Sequence, residues 1–435
     1  MRATATEIVR RLQVAGHAAF WVGGCVRDRL LGKNPQDFDI ATDARPEQIE
    51  AIFAKTIPVG RQFGVMVVIE VGHQFQVATF RAEAEYSDGR RPNKVTFCDA
   101  RADALRRDFT VNGLFFDPVK EELHDWINGR ADLEKKILRT IGDPHERFGE
   151  DHLRLLRAVR FAAQLGFDVD PATFAAVQSL APKISCISAE RIRDELLKLF
   201  QPPHAARGLD LLRESGLLAH VLPELVPTIG CEQSPTFHPE GDVYTHIRLL
   251  LANLPADAHL ALPWTALLHD IAKPATAVRQ PDGRITFYGH EKIGAEMAEA
   301  LLTRLRFPRK QIEEISFVVL HHMQFKDAPK MRKATLRRML LRETFPLELA
   351  QHRLDCLASH GQLDIYDFLQ HEAAELAKLP QLAPPLVTGE DLLALGLKPG
   401  PALGELLHEI RDRQLAEELL SRDAALAWAK EKAGI

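Results

Sequence analysis

The sequence predicts a small mixed-sheet α/β head followed by an all-helical remainder, and three observations predict it. Apolar stretches with period-two alternation are confined to the part of the chain before Asp143. Beyond Asp143, apolar residues recur at three-and-four spacing, the mark of amphipathic helices. Proline- and glycine-rich breaks at "QPPHAARG", "QSPTFHPEGD" and "LPQLAPPLVTG" then divide the helical part. A chain of 435 residues is too long for one ordinary core, and the breaks predict a head at 1–142, a neck at 143–205, a body at 206–380 and a tail at 381–435.

The elements follow in order. "MRATATEIVRRLQVAGHAAF" reads as an amphipathic helix with charges inside it, unlike the apolar core of a signal segment. "HAAFWVGGCVRDRLLG" reads as strand, glycine turn and helix, and "QDFDIAT" as a second strand. "RPEQIEAIFAKT" is helical, while "VMVVIEV" and "QFQVATFRA" are strands joined at "GHQ". "RAEAEYSDGRRPNKVTF" is charged and contains glycine and proline, as a mobile loop would. "EDHLRLLRAVRFAAQLGF" and "SAERIRDELLKLF" open the helical part.

Composition narrows the function classes. Hydrophobic residues are 46% and charged ones 26%, a globular balance. The 5 cysteines are scattered, without the spacing of a zinc site or a disulfide framework. No apolar run reaches the roughly 18 residues of a membrane span, so a cytoplasmic protein without a membrane partner is expected. A net charge of −5 argues against a generally basic nucleic-acid coat. Arginine is nonetheless concentrated locally in "RRPNK", "RADALRRD", "RLLRAVR" and "RKATLRRMLLR".

The densest chemistry is in "GGCVRDRLLGKNPQDFDIAT", Gly23 to Thr42. If Asp37 and Asp39 alternate along a strand, both carboxylates project from one face and repel each other. A divalent cation relieves that repulsion, and Mg²⁺ held by one or two carboxylates and substrate phosphates is a common arrangement. Gly23 and Gly24, lacking Cβ atoms, let backbone N–H groups approach a triphosphate, and Arg27 one turn on can neutralise one of its oxygens.

This G-G-x-x-R-D followed by D-x-D, at Gly23, Gly24, Arg27, Asp28, Asp37 and Asp39, resembles the first motif of the class II tRNA nucleotidyltransferases, close relatives of bacterial poly(A) polymerases. The resemblance implies a head of the polymerase β type and template-independent addition of C, C and A to the tRNA 3′ end. CTP and ATP would be the substrates, pyrophosphate the product and Mg²⁺ the head metal. "RRDFTVNGL" resembles the second motif, which implies ribose and phosphate contacts for Arg107, Asp108 and Asn112. Gly113 stands where alanine or serine is more usual, a change expected to matter little. "HDWINGRADL" resembles the hinge motif through Asp125, Gly129 and Asp132.

"GEDHLRLLRAVRFAAQLGF" resembles the nucleotide-selecting helix, with E-D-x-x-R on Glu150, Asp151 and Arg154 and with Arg157 counted among the nucleotide-binding residues. Asp151 and Arg154, three apart on one helical face, would present an acceptor and donors to a base edge. "ERIRDELLKLF" resembles the last neck motif, in which Glu190, Arg191 and Glu195 would brace helices. The charged loop resembles that of members adding all three nucleotides. Glu70 and Glu83 are nearby acids, neither identified as a third head carboxylate. The alternatives are a poly(A) polymerase, disfavoured by E-D-x-x-R, and an enzyme adding only part of CCA. From other classes come an HD phosphohydrolase with an inactive head and a non-catalytic RNA-binding protein, both disfavoured by the intact Asp37 and Asp39.

A second set lies in the helical part: His246, the adjacent His269 and Asp270, His290, His321, His322 and Asp355. It resembles the HD phosphohydrolase domain and implies His246, His269, Asp270 and Asp355 as metal ligands. His290 and His321 would be additional ligands, with His322 as the alternative to His321. Mn²⁺, Ni²⁺ or Mg²⁺ suits imidazole and carboxylate, and the chemistry implied is phosphoester hydrolysis. His238 precedes this set without an assigned place. In the tail, "GLKPGPALG" is either a turn that holds an RNA phosphate or a plain helix–helix turn.

Overall fold

The computed structural model of the chain describes residues 1–86, 92–235, 238–379, 382 and 384–434. It falls into two compact units, Met1–Pro223 and Glu224–Ile435. Residues 206–223, expected to open the body, therefore belong with the head and neck.

In the first unit, strands β1 (Ala19–Val22), β2 (Asp39–Thr42), β3 (Thr56–Gly60), β4 (Val65–Glu70), β5 (His73–Thr79), β8 (Phe115–Asp117) and β9 (Glu122–His124) form one sheet. Its order is β3-β4-β5-β2-β1-β8-β9. β2 and β5 run parallel and the other neighbours antiparallel, so the sheet is mixed. Helix α1 (Arg2–Val14) buries Ala5, Ile8, Val9 and Leu12 in the core beneath the sheet, as its apolar spacing requires.

Helices α2 (Gly24–Leu30) and α3 (Pro46–Ile52) flank β2 in sequence. The segment expected as a loop carries strands at both ends: β6 (Arg81–Tyr86) and β7 (Pro92–Phe97) pair antiparallel, Arg81 opposite Phe97. Residues 87–91, the middle of that expected loop, lie outside the described residues. Helices α4 (Ala100–Leu105) and α5 (Gly129–Lys135) bracket β8 and β9.

The neck opens with α6 (Pro144–Glu150) and α7 (Leu153–Leu165), two helices in place of the single selecting helix expected. The break falls at Asp151, which is extended at φ −145° and ψ 105°. Helix α7 packs against α9 (Ala189–Leu199) and α10 (Ala205–Glu214), with α8 (Pro171–Leu180) alongside. Strand β11 (Asp168–Val169), which pairs parallel with β10 (Ile137–Leu138), is the sole strand among the described residues of this unit after Asp143.

The second unit is helical apart from the short hairpin β12 (Val278–Arg279) and β13 (Ile285–Thr286). Helices α11 (Val243–Ala252), α12 (Leu262–Leu268), α13 (His290–Arg304), α14 (Arg309–His321) and α15 (Phe345–Ala358) surround a buried polar centre. Three later helices, α16 (Gly389–Ala394), α17 (Pro401–Leu415) and α18 (Arg422–Ala433), share a separate small core. "GLKPGPALG" forms the turn between α16 and α17, with Gly396 at φ +91°. Among the described residues no helix is long and apolar enough to cross a membrane.

Candidate functional site

Val22, the last residue of β1, pairs with Asp39, the first of β2, in antiparallel register. The turn leaving β1 and the carboxylate opening β2 are thereby neighbours. Gly23 takes φ +74° in that turn, and a Cβ on it would lie 3.3 Å from Arg107 Nη1; glycine is what lets the guanidinium come so near. Phe38 is buried and packs edge-on to Trp21, with ring centroids 4.8 Å apart. Asp37 and Asp39 flank this anchor and both line a cleft of about 750 Å³. Only Asp39 belongs to a strand; Asp37 sits in the preceding loop, a correction to the expected placement of both on β2.

Five aspartates line the cleft, and Asp28, Asp108 and Asp151 each hold an arginine. Asp37 and Asp39 are in no ion pair among the described residues. Desolvation raises the Asp39 pKa; the nearby Arg107 opposes the shift and the Asp37 charge adds to it. Two close carboxylates with no cation of their own are a donor set suited to a hard divalent ion.

The same cleft is lined by an array of arginines. Arg27, Arg157 and Arg160 place their guanidinium carbons 5.2, 5.1 and 4.0 Å from the centroid of the one Phe161 ring. Like charges so close need fixed anions and acceptors. Arg27 Nη1 donates to Asn112 Oδ1 at 2.6 Å, and Asn112 Nδ2 to Asp108 Oδ1 at 3.2 Å. Arg157 donates to Asp108 Oδ2 through Nε at 2.9 Å and Nη2 at 2.6 Å. Arg160 Nε donates to buried Glu195 at 2.5 Å. Burial alone would raise the Asp108 pKa, but the charge and hydrogen bonds of Arg157 outweigh it and hold it at about 2. Both Asp108 oxygens are engaged, since Oδ1 also accepts from Phe109 N at 2.8 Å.

At the junction of α6 and α7, Glu150 accepts from Arg147 Nη1 at 3.0 Å and from Arg154 Nη1. Arg154 Nη1 also donates to the Arg147 carbonyl at 2.9 Å. Asp151 caps Leu153 N at 3.0 Å and accepts from Arg191 of α9, Nη2 at 2.7 Å and Nη1 at 3.3 Å.

In the second unit, four imidazoles converge on two carboxylates. His269, His290 and His322 have Nδ1 against the carbonyls of Ala266, Phe287 and Val319 at 3.0, 2.7 and 2.7 Å. His246 Nδ1 meets Glu240 at 2.6 Å. With Nδ1 as donor, each Nε2 points inward. His246 and His269 bring their Nε2 atoms to 3.3 Å, and His290 and His322 theirs to 3.2 Å. Asp270 lies between, its oxygens 3.2 Å from His269, 3.4 Å from His290 and 2.7 Å from Lys273 Nζ. Asp355 is 3.0 Å from His246 Nε2.

Burial would lower the His246 pKa, but bonding to Asp355 and Glu240 raises it to about 9; burial and the neighbouring His269 push His322 down to about 4. Inward imidazole nitrogens closed by two carboxylates are a donor set suited to a metal ion, and the buried Gln233 Nε2 and Glu240 Oε2 at its rim have no partner among the described residues.

Three segments of the chain match known protein families. Residues 19–139 match the Poly A polymerase head domain, 166–228 the probable RNA and SrmB-binding site of polymerase A, and 242–352 the HD domain. The CCA-adding enzyme of Levilactobacillus brevis is 32% identical over 98% of this chain and 96% of its own length. The chain belongs to the class II tRNA nucleotidyltransferase family. The A-adding tRNA nucleotidyltransferase of Deinococcus radiodurans, in the same family, is 34% identical over 95% of this chain and 96% of its own. At 44% identity, the match to the CCA-adding enzyme of Geobacillus stearothermophilus spans 50% of this chain and 54% of that one, about half of each. The crystal structure of the Bacillus stearothermophilus CCA-adding enzyme in complex with CTP superposes with a TM-score of 0.75 at 29% identity, over 99% of this chain and 96% of that one.

The family motifs land as follows. Gly23, Gly24, Arg27, Arg107, Asp108, Asn112, Asp151, Arg154 and Arg157 line the cleft; Glu150 does not, and instead holds Arg154. Asp151 and Arg154 do not share a helical face, because Asp151 precedes α7 and each binds another partner. His322 joins the histidine–carboxylate cluster, whereas His321 turns its Nδ1 to the Phe317 carbonyl at 2.8 Å and packs on that ring. Glu70 is bound to Arg11 at 2.5 Å and lines no part of the cleft, and the side chain of Glu83 lies outside the described residues.

Gly113 is more than a small residue: a Cβ there would lie 2.2 Å from Ile127 Cδ1. At Gly129 a Cβ would lie equally close, 2.2 Å, to a backbone atom, the Thr110 carbonyl oxygen. Sequence reasoning missed Arg191 as a cleft residue and Glu240 as a partner of the histidine cluster. The "HPEGD" stretch carries Glu240 six residues before His246, a signal that only the fold makes readable.

Proposed function

We propose that the chain adds C, C and A in turn to the 3′ end of tRNA, using CTP and ATP and releasing pyrophosphate. The observation that carries this reading is the unpaired Asp37 and Asp39 in one cleft with an arginine array, a cleft that Asp151 and Arg154 also line. The tRNA 3′-hydroxyl oxygen attacks the α-phosphorus of the bound nucleotide and its proton passes to water; the new P–O bond forms as the bond to the bridging oxygen breaks, and the electron pair leaves with pyrophosphate. Asp37 and Asp39 would hold Mg²⁺, which when bound supplies charge neutralisation for the phosphates.

Arg27, Arg107 and Arg157 bind the triphosphate and ribose, and Asp108 and Asn112 fix the angles of Arg157 and Arg27. Selection follows from donors and acceptors. Cytosine and adenine both present an exocyclic amine beside an unprotonated ring nitrogen, which a carboxylate and a guanidinium complement. Uracil and guanine present a carbonyl beside a ring N–H, the reverse pattern, and set oxygen against the Asp151 carboxylate. A cytoplasmic location accords with the five free cysteines.

The test offers tRNA lacking its last three nucleotides and each NTP in turn. Extension by three with CTP and ATP together, and none by UTP or GTP, is expected. Extension only of tRNA already ending in CC would replace this reading with the activity named for the D. radiodurans relative, and long tails from ATP alone would make the enzyme a poly(A) polymerase.

A second activity is favoured by the four inward Nε2 atoms. His246, His269, Asp270 and Asp355, with His290 and His322, would hold Mn²⁺, Ni²⁺ or Mg²⁺ and hydrolyse phosphoesters. Hydrolysis of a 2′,3′-cyclic nucleotide that depends on one of these ions and stops with EDTA is the expected result; none with any of the three overturns it.

A further inference from the structure

We propose that the cavity beside Asp355 is the substrate pocket of the second unit's histidine–carboxylate cluster and takes a ribose phosphoester, with Lys326 and His360 holding the phosphate and the base left outside; this rests on the phosphoester-hydrolysing reading above. The cluster is closed on nearly every side. The side chains of His246, His269, Asp270, His290 and His322 are each 7% exposed or less, and Asp355 alone reaches 30%. Asp355 and His322 both line a cavity of about 240 Å³, which is therefore the way from solvent to the cluster. A larger cavity of about 910 Å³ runs past His238 and Gln233, but none of the six cluster residues lines it, and its Arg279 and Arg284 are already bound to Glu232 and Asp282.

The rest of the lining suits a phosphate ester. Lys326, in the short 3-10 turn Gln324–Lys330 after α14, is exposed and in no ion pair among the described residues. Its ammonium is a point charge with three donors and no carboxylate to release before it binds an anion. His360, just past the end of α15, accepts at Nδ1 from Gln362 N at 3.0 Å. An imidazole that accepts at Nδ1 carries its proton at Nε2, and so that nitrogen is a donor. Asp364, which opens the helix Asp364–Ala377, is the one acid of the cavity besides Asp355. A carboxylate there repels a phosphate and accepts from a hydroxyl, so it favours the sugar end of the ligand.

Size sets the rest. At about 240 Å³ the cavity is below the roughly 300 Å³ at which pockets begin to enclose a drug-sized ligand, so a phosphate and its sugar are accommodated while a nucleobase stays in solvent. Hydrolysis puts the hydroxyl of water on phosphorus and its other proton on the departing ribose oxygen. The ligand is thus an anion before and after, and the same donors serve both.

The test follows hydrolysis of 2′,3′-cyclic AMP and 2′,3′-cyclic CMP with saturating Mn²⁺ in wild type, Lys326→Ala, Lys326→Arg, His360→Ala and, as the control in the other cavity, Arg279→Ala. KM should rise about tenfold or more in Lys326→Ala and His360→Ala, as for loss of a hydrogen bond to a charged group, with kcat much less affected. Lys326→Arg should recover part of the loss, and the two nucleotides should behave alike. A second readout needs neither metal nor turnover. In EDTA-treated protein, inorganic phosphate should slow carbethoxylation of His360 by diethyl pyrocarbonate, mapped by mass spectrometry, and Lys326→Ala should abolish that protection. KM within about twofold of wild type in both alanine variants overturns the inference, as does a His360 that phosphate does not protect, a KM rise confined to Arg279→Ala, or a strong preference for one base. Should Lys326→Ala lower the thermal midpoint, Lys326→Met, which keeps the stem and loses the charge, is read by the same criteria. Wild type inactive with Mn²⁺, Ni²⁺ and Mg²⁺ alike overturns the underlying reading instead, and protection of His360 then decides by itself whether the cavity binds phosphate.

Discussion

Asp37 and Asp39 differ from every other acid in the cleft in having no arginine of their own. Replacing either with alanine is expected to lower incorporation of CTP and ATP by at least about a thousandfold while tRNA binding changes little, because phosphate contacts elsewhere carry that affinity; filter binding and single-turnover extension on the same variants check both halves. Asp108 is the opposite case, a carboxylate saturated with partners. Its pKa of about 2 lies below the roughly 3.9 of an unfolded aspartate. Its contribution to stability, about 2 kcal/mol, is therefore present above pH ~4 and is lost as the pH falls toward 2. Denaturant unfolding of wild type and Asp108→Asn across that window should show the gap between them closing; a constant gap would mean that the Asp108 charge is not responsible. At this scale the sequence was readable where partners are close along the chain. Asp37 and Asp39 stand on either side of one aromatic residue and are seen together in the sequence although only Asp39 is in a strand, whereas the pairing of Asp151 with Arg191 spans 40 positions and no local pattern encodes it.

Elements with a long amphipathic repeat, such as α1, α7 and α9, were legible because one buried face dictates their composition. Strands β8 and β9 were not, since three residues are too few for alternation to show. Strand β3 is an edge with no residue buried, and its sequence carries no core signal. The joint between α6 and α7 was missed because Asp151 interrupts an apolar pattern that otherwise reads through. Gly113 shows the limit of judging a residue by its size alone. Alanine at Gly113 should destabilise the protein by about 1–3 kcal/mol, as overpacking does, because its Cβ would meet Ile127 Cδ1 at 2.2 Å. Ile127→Val deletes the offending methyl and should restore part of the loss in the double variant, measured as the urea midpoint. Equal midpoints for Gly113→Ala and wild type would show that the neighbourhood yields freely.

The whole molecule joins two compact units, each with a chemical centre of its own. Joint replacement of His269 and Asp270 by alanine is accordingly expected to abolish phosphoester hydrolysis and spare nucleotide addition. A metal that binds only the folded second unit stabilises it, by about 2.7 kcal/mol at a hundredfold excess over Kd. Calorimetry of wild type should show a transition that Mn²⁺ raises and EDTA lowers, and the double variant should lose that response. A metal response that survives in the variant would place the ion elsewhere. The division into units was only half legible: the break at "QPPHAARG" reads as a domain joint, yet α10 continues the packing of α7 beyond it. Proline and glycine mark where helices end, which is not the same as where a core ends.

The pairing of Val22 with Asp39 has a bearing on how this chain tolerates insertions and deletions. What holds Asp39 beside the Gly23 turn is a ladder between two strands, together with the Phe38 ring set against Trp21. The count of residues from Gly32 to Gln36 enters neither contact, so that stretch can lengthen or shorten while the carboxylate stays where it is. One residue added between Phe38 and Ile40 would have the opposite effect, reversing the alternation and sending an acid toward the core in place of an aromatic ring. A search for distant relatives should accordingly allow a free gap before Phe38 and none after it.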